Sequence, residues 1–194
     1  QVVDYGWVAD DPVKLRQLFD KASSEVDALI TSGGVSVGDA DHTRAVLESI
    51  GQIHFWQVAI KPGKPFAFGV LGNCLFFGLP GNPVSAVITL EQLVLAGLAK
   101  RAGQSKASFV ASQHKVIPAS AKQPFRKKMG RLDFQRISVN VTVDGVTAEP
   151  VGLDSSGMLT SLLNADGWTW LEQDRGNVNT DEPIHIQLKS SWLI

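Results

Sequence analysis

Residues 31–41 read Thr-Ser-Gly-Gly-Val-Ser-Val-Gly-Asp-Ala-Asp, a glycine-rich loop between two regular elements. The short apolar run at 26–30 before it predicts a strand of a covered parallel sheet. Asp41 stands where the N-cap of a following helix is expected. The glycines allow backbone amides to approach a ligand closely, as in strand-loop-helix phosphate sites. Because the spacing fits neither the Walker pattern nor the dinucleotide fingerprint, a ligand site here needs support from other motifs.

Outward from this loop, strand and helix patterns alternate up to residue 103. Strands are expected at 1–9 and 53–60, and a hairpin or a pair of strands at 66–70 and 74–77 around the turn Leu71-Gly72-Asn73. Apolar stripes predict helices that begin near residue 12, at 42–50 and at 83–100. This alternation predicts an α/β domain over 1–103, with a mostly parallel sheet and helices on both faces.

From residue 104 onward, strand alternation replaces helical spacing. Apolar side chains share one parity over 137–143, and Asp144-Gly145 predicts a hairpin turn. Leu132 and Phe134 have the opposite parity, which predicts a β-bulge near Gln135 or Arg136. We therefore expect a small all-β, barrel-like domain over 104–194.

Composition narrows the classes of function. A net charge of -1 over 194 residues argues against nucleic-acid binding through bulk positive charge. No uninterrupted apolar run reaches the length of a membrane span, and no signal peptide is seen, so we expect a cytoplasmic protein. The single cysteine, Cys74, lies in an apolar run and is expected to be a buried thiol. The start at Gln1, already inside a strand-like run, indicates a fragment.

In open parallel sheets, ligands bind outside the carboxyl ends of the strands. Four such ends carry unusual residues: Asp10-Asp11-Pro12, the glycine loop with Asp39 and Asp41, Lys61-Pro62-Gly63-Lys64-Pro65, and Gly78-Leu79-Pro80-Gly81-Asn82-Pro83. Acids and lysines at one edge suit an oxyanion together with a hard divalent ion such as magnesium. The two lysines should dominate, since a charge pair at about 4 Å contributes about 4 kcal/mol before desolvation, against about 0.3–1 kcal/mol from a helix N-terminus.

Each motif also has a purely structural interpretation. The acids can be helix caps, the lysines solvated surface charges, and residues 80–83 the start of a helix. Residues 34–38 also match a Gly-x-Ser-x-Gly nucleophile elbow, with His114 and His185 as possible partners. We disfavour a hydrolase because Asp39 and Ala40 separate this stretch from the expected helix cap. No zinc-ligand spacing is found.

Three of these motifs closely resemble the molybdopterin molybdenumtransferase (MoeA) family, which includes the E domain of gephyrin. They are Ser32-Gly33-Gly34-Val35-Ser36-Val37-Gly38 with Asp41, Lys61-Pro62-Gly63-Lys64-Pro65, and Gly78-Leu79-Pro80-Gly81-Asn82-Pro83. Residues 128–136 are similar to the basic motif of the family's C-terminal β domain.

The resemblance implies an enzyme that inserts molybdate into adenylylated molybdopterin and releases AMP, with Mg²⁺. It implies that Asp10 and Asp41 are catalytic and metal-binding acids, and that Lys61 and Lys64 are catalytic residues that bind an oxyanion. The residues implied to bind the pterin nucleotide are Ser32, Gly33, Gly34, Ser36, Gly38, Pro80, Gly81, Asn82, Pro83, Arg131 and Arg136. Lys128, Ser155 and Ser156 are further candidates.

The chain also departs from the family pattern. The family's Thr-Gly-Asp-Glu strand and two further domains before it are not in this sequence, and Gln57 stands where a lysine is expected. The resemblance thus implies a C-terminal portion, a homodimer, and an upstream adenylyltransferase as a partner. Two alternatives remain: a non-catalytic scaffold of the gephyrin type, and a related pterin adenylyltransferase, which lacks the β domain.

Overall fold

The computed structural model describes residues 1–35, 42–108, 116–152 and 159–189. In chain order its elements are α1 Pro12–Glu25, β1 Ala28–Ser32, α2 His42–Ile50, β2 Gln52–Gln57, β3 Ile60–Lys61, β4 Pro65–Leu71, β5 Cys74–Leu79, α3 Pro83–Thr89, a π-helical turn Leu90–Val94, α4 Leu95–Arg101, β6 Val116–Ala121, β7 Leu132–Thr142, β8 Gly145–Pro150, α5 Leu159–Leu163, β9 Gly167–Leu171 and β10 Pro183–Leu188. Two compact units form: Gln1–Val58 with Gly63–Arg101, and Ala59–Pro62 with Ala102–Ile194.

The sheet of the first unit is mixed rather than mostly parallel. Its strand order is β1-β5-β4-β2, and only the β1–β5 ladder is parallel. β4 runs antiparallel to both of its neighbours. The reason is local: only Gly72 and Asn73 connect β4 to β5, and such a short connection returns the chain as a hairpin, whereas a parallel pair needs a long crossover.

Helices cover both faces of this sheet, as alternation along β5 shows. Cys74 and Phe76 pack in one apolar cluster with side chains of α1 and α2, whereas Phe77 and Leu79 pack in another with Val94. Successive side chains of a strand point to opposite faces, so the two clusters lie on opposite sides of β5. Burial also raises the pKa of the Cys74 thiol, as expected for a core cysteine.

The strand predicted at 1–9 is not formed. This segment is extended in part but pairs with no described strand, and Gly6 has φ +70°, outside the β region. The Gly6 amide instead donates to Asp4 Oδ1 at 2.7 Å, which closes a local turn. Val2 and Trp7 are 93% and 88% exposed, whereas Tyr5 and Val8 are partly buried against the apolar core of the first unit.

One continuous helix spans Pro83–Arg101 and contains the π-helical turn. By length and composition it is long and apolar enough to cross a membrane, although Glu91 and Gln92 interrupt its apolar run. The same test is passed by helices of a protein core, and Ile88 and Val94 here are fully buried. The helix is therefore weak support for a membrane span.

The second unit contains a closed barrel. Its sheet has the order β3-β7-β8-β6-β10-β9, and an additional pairing of β7 with β9 closes five of these strands into a ring. Its apolar core includes Phe125, Ile137, Leu171, Ile184 and Ile186. The barrel predicted from strand alternation is therefore formed, with the short helix α5 inserted between β8 and β9.

The strand predicted at 53–60 is divided between the two sheets. β2 ends at Gln57, and Ile60 and Lys61 then form β3, parallel to β7 in the barrel sheet. Ile60 is buried there. The Val58 amide donates to the Lys64 carbonyl at 3.0 Å, so the chain rejoins the first unit directly after this excursion.

The bulge predicted in β7 does not form. The β7–β9 ladder keeps a constant register from Asp133 opposite Leu171 to Ile137 opposite Gly167. The side chains that share the inward parity of Ile137 are Asp133 and Gln135, both buried. The barrel interior is therefore polar at this end, and no bulge is needed to bring Leu132 or Phe134 inward.

Candidate functional site

The glycine loop and the turn at residues 80–83 lie side by side. β1 and β5 are parallel neighbours whose last pair is Ser32 opposite Leu79. The Gly33 amide donates to the Leu79 carbonyl at 3.0 Å, and a Cβ on Gly81 would stand 3.6 Å from Gly33 Cα. The structure thus brings two of the four predicted strand ends together.

Two contacts fix the start of the loop. Val35 is buried, and its Cγ1 lies where a side chain at Gly78 would stand. Gly34 packs against the buried Thr43 of α2, whose Oγ1 lies 2.8 Å from the position of a Cβ on residue 34. Because Gly34 also has φ +68°, only glycine fits this position without strain.

A cleft of about 1020 Å³ opens beside this loop in the first unit. Asp10, Ser32, Gly33, Gly34 and Thr43 line it, and residues 1–8 form much of another wall. The size lies at the upper end of the range for small-molecule sites. The hydroxyl oxygen of Thr31, also in the lining, is buried and has no hydrogen-bond partner in the described part of the chain.

The structure separates the roles of the adjacent acids Asp10 and Asp11. Asp11 is the N-cap of α1, and its carboxylate accepts from the amides of Val13 at 2.9 Å and Lys14 at 3.0 Å. The Lys14 amide, more than the Val13 amide, lowers the pKa of Asp11. Asp10 makes no hydrogen bond or ion pair with any residue in the described ranges and lines the cleft. Asp10 is therefore the available acid.

Lys64 lies at the same edge of the sheet as the loop. Ala67 pairs with Gly78 in the antiparallel β4–β5 ladder, so β4 begins where β5 ends. Lys64 immediately precedes β4 and is exposed. Gln57, which stands where a lysine was expected, pairs with Pro65 and therefore lies at this edge as well.

The turn at residues 80–83 has a clear structural role. The Asn82 side chain accepts from the Ser85 amide at 3.3 Å and caps α3, with Pro83 in the first turn of the helix. Gly81 lies against Gly33. This turn therefore fixes the start of α3 beside the glycine loop.

Lys61 belongs to the second unit and Lys64 to the first, although both were expected on one turn that binds an oxyanion. It lies opposite Asp133 in the parallel β3–β7 ladder, and its Nζ is 3.4 Å from Asp133 Oδ2. The Asp133 side chain is only 4% exposed, whereas that of Lys61 is 35% exposed. Sequence reasoning missed Asp133 and Gln135; the parity conflict in β7 was the available signal.

Several basic residues of the second unit lie on a loop whose backbone is fixed by hydrogen bonds from Lys127. Its buried Nζ donates to the carbonyls of Lys128, Gln173 and Arg175, the last at 2.8 Å. Arg126, Lys128 and Arg131 are exposed and form no ion pair within the described ranges, whereas Arg136 is half-buried. The loop thus presents cations on a rigid backbone.

Several candidates lie outside the described residues: Ser36, Gly38, Asp39, Asp41, Ser155 and Ser156, and with them the possible nucleophile elbow and His114. His185 is exposed on β10 and stacks on Trp170. Within the described ranges, no group of three or more His, Cys, Asp or Glu side chains is arranged to hold a metal ion. Asp41, the second predicted metal ligand, lies outside these ranges.

Comparison with known proteins gives consistent matches along the chain. Residues 1–100 match the family described as probable molybdopterin binding domain, and residues 118–189 match the MoeA C-terminal region (domain IV). A molybdopterin molybdenumtransferase of Haemophilus influenzae is 44% identical over 191 residues, which cover 96% of this chain and 46% of that protein. Gephyrin of Dictyostelium discoideum is 40% identical over 111 residues, 47% of this chain and 16% of that protein.

A solved structure of a molybdopterin biosynthesis MoeA protein from Pyrococcus horikoshii superposes with a TM-score of 0.73. It is 28% identical, and the match covers 94% of this chain and 42% of that one. This chain therefore spans less than half the length of these relatives.

Proposed function

Since this chain belongs to the molybdopterin molybdenumtransferase (MoeA) family, we propose that it acts in molybdenum cofactor biosynthesis, by inserting molybdate into adenylylated molybdopterin with release of AMP. Exchange of one oxo group of molybdate for the two sulfurs of the dithiolene, which enter as thiols, releases one water, because the two thiol protons leave with the oxo oxygen. Hydrolysis of the phosphoanhydride to AMP consumes one water. The two steps therefore balance, and no oxidant or reductant is required.

The observation that carries this proposal is the cleft beside β1 and the two glycines that follow it. Ser32, Gly33 and Gly34 line this cleft and can bring backbone close to a ligand, and Asp10 lines it without a partner among the described residues. Backbone amides that can approach a ligand, polar side chains and a volume of this size suit a pterin nucleotide. Lys64 at the same edge adds a positive charge for a phosphate or an oxyanion.

Magnesium fits the donor chemistry of this cleft. Mg²⁺ is commonly held by one or two carboxylates together with substrate phosphates. The carboxylate of Asp10, which has no partner among the residues that the structure describes, would supply one such ligand, and we propose Asp41 as the second. When bound, the ion would neutralise charge on the phosphate oxygens of the substrate. Asp10 itself would hold the ion, and the backbone at Ser32 to Gly34 would orient the nucleotide.

In the second unit we propose that Lys61 binds an oxyanion and that Arg131 and Arg136 contribute positive charge toward the substrate. Lys61 keeps a partly exposed side chain although it faces a buried carboxylate. Lys61→Ala should abolish molybdate-dependent AMP release. Unchanged turnover would remove Lys61 from the site.

The first test is calorimetry with AMP or adenylylated molybdopterin in the presence of Mg²⁺ and molybdate. It should be run on the 194-residue chain and on a version extended at its N-terminus. We expect binding in the extended form, weakened by Asp10→Asn and by Lys64→Ala. Lys100→Ala, an exposed lysine of α4 outside the cleft lining, is the matched control and should bind as the wild type does. No binding in either form contradicts the proposal and favours the scaffold function.

Family membership also leads us to propose a cytoplasmic homodimer that receives its substrate from an adenylyltransferase. Light scattering after size-exclusion chromatography tests the dimer, and cell fractionation tests the location. A mass of a single chain, about 20.9 kDa, would contradict the dimer.

A further inference from the structure

The polar end of the barrel in the second unit contains a connected set of side chains. Asp133 and Gln135 are consecutive inward residues of β7, and both are buried. A buried carboxylate is unfavourable unless it is paired and hydrogen-bonded. The surroundings of Asp133 supply both, so its position is specified rather than incidental.

Each contact of this set has a direction. Gln135 Nε2 donates to Asp133 Oδ2 at 3.2 Å and to the Arg126 carbonyl at 2.9 Å. Lys61 Nζ lies 3.4 Å from the same Asp133 oxygen. Gln135 therefore joins the carboxylate to the backbone of the basic loop, and the carboxylate in turn holds the ammonium group.

The backbone fixes where the ammonium group can lie. Lys61 and Asp133 are direct partners in the parallel ladder, although 72 residues separate them in sequence. A lysine side chain is otherwise a flexible stem with three donors on a compact charge. The carboxylate contacts the ammonium group at 3.4 Å, and the Lys61 side chain is 35% exposed, so this pair lies at the surface of the barrel.

We propose that Asp133, held by Gln135, is a positioning residue that fixes the Lys61 ammonium for an oxyanion substrate. This inference rests on the proposed function and adds to it that two residues of the second unit, Asp133 and Gln135, hold Lys61 in place. The competing explanation is an ion pair that only stabilises the barrel. The two differ in one respect: a positioning residue changes molybdate affinity through Lys61, whereas an ion pair that only stabilises the barrel leaves molybdate affinity unchanged.

A double-mutant cycle separates these explanations. Molybdate-dependent AMP release is measured for the wild type, Lys61→Ala, Asp133→Asn and the double variant. Where turnover persists, kcat and the KM for molybdate are determined separately. Calorimetry gives the molybdate affinity of all four proteins. Asp133→Asn keeps the side-chain volume but removes the charge. We expect the KM for molybdate to rise about 10-fold with a smaller change in kcat, because a charge-assisted hydrogen bond to the substrate loses its geometry. In the Lys61→Ala background, the same change should alter molybdate affinity by less than about twofold.

Two further variants keep the test decisive if Asp133→Asn folds poorly. Gln135→Met leaves the carboxylate in place but removes the amide group that donates to both Asp133 Oδ2 and the Arg126 carbonyl, and it should raise the KM for molybdate in the same direction. Asp166→Asn is the matched control, because Asp166 accepts hydrogen bonds from Ser138 and the Val139 amide in the same unit. It should leave the KM unchanged.

Every outcome bears on a different claim. Equal effects of Asp133→Asn with and without Lys61, or an unchanged KM, overturn the positioning role and leave the proposed function intact. Turnover that is unaffected by Lys61→Ala overturns the assignment of Lys61 and this inference with it. A wild-type protein that neither binds molybdate nor releases AMP overturns the proposed function itself.

Discussion

Replacing Gly34 by alanine should destabilise the first unit more than the same change at the adjacent Gly33. Both glycines have left-handed backbone, with φ +68° and +87°. An alanine in that region costs about 1–2 kcal/mol. The lower freedom of the unfolded chain offsets about 0.4–1 kcal/mol of this cost. The backbone contribution is therefore similar at the two positions, about 1 kcal/mol each.

The space around the two positions differs. A Cβ on Gly34 would stand 2.8 Å from Thr43 Oγ1, whereas a Cβ on Gly33 meets nothing within 4 Å. Thr43 is 6% exposed on α2 and has little room to move. Overpacking of this kind costs about 1–3 kcal/mol, so Gly34→Ala should cost about 2–4 kcal/mol in total. Gly33→Ala should cost only the backbone part.

Urea unfolding followed by far-ultraviolet circular dichroism measures this difference, because α1 to α4 all belong to the first unit. Thr43→Ala removes the blocking oxygen and should recover the overpacking part in combination with Gly34→Ala. It should recover nothing in combination with Gly33→Ala. Equal losses at the two glycines, or no recovery with Thr43→Ala, would refute the reasoning.

Three further predictions concern single contacts. The pKa of Asp11 is lowered chiefly by the Lys14 amide, so the stability from this cap is complete above the ordinary carboxyl pKa and is lost as pH falls through the lowered value. In Asp11→Asn, the free energy of unfolding should therefore decrease less steeply as the pH is lowered into the acid range. A decrease as steep as in the wild type contradicts this prediction. Gly97→Ala should lower the Tm, because the new methyl group would lie 2.7 Å from Phe77 Cζ, although alanine gains about 1 kcal/mol in helix propensity. In thermal melts, Phe77→Leu should rescue part of this loss. Lys127→Met should cost the second unit about 1–3 kcal/mol, because three carbonyls lose a buried donor; unchanged hydrogen exchange at residues 172–176 would argue otherwise.

Local patterns in the sequence were sufficient for several elements. The stripe of Leu15, Phe19 and Ala22 predicted α1, and these three side chains are its buried residues. The Leu71-Gly72-Asn73 turn predicted a hairpin or a pair of strands, and β4 and β5 form the hairpin. Such features depend on residues a few positions apart, so a periodicity of 3.6 or 2 in one segment is enough to specify them.

The candidate site could be predicted only in part. Sequence motifs correctly indicated that the glycine loop and the turn containing Gly81 would meet, because both follow strands that run in the same direction. They also suggested that Lys61 and Lys64 form one cationic turn. The structure instead divides them between the two units, since Ile60 and Lys61 complete a ladder with β7.

By itself the sequence determined the helices of the first unit, the two strands around the Gly72-Asn73 turn, the family and the residue types available at each strand end. Only the tertiary structure decided that β2 pairs with β4, that residues 1–9 form no strand, and that Asp133 faces Lys61. These outcomes depend on which distant backbone is available for pairing. Backbone hydrogen bonds can form with any strand edge that offers free donors and acceptors, so the sequence pattern of one segment does not identify its partner strand.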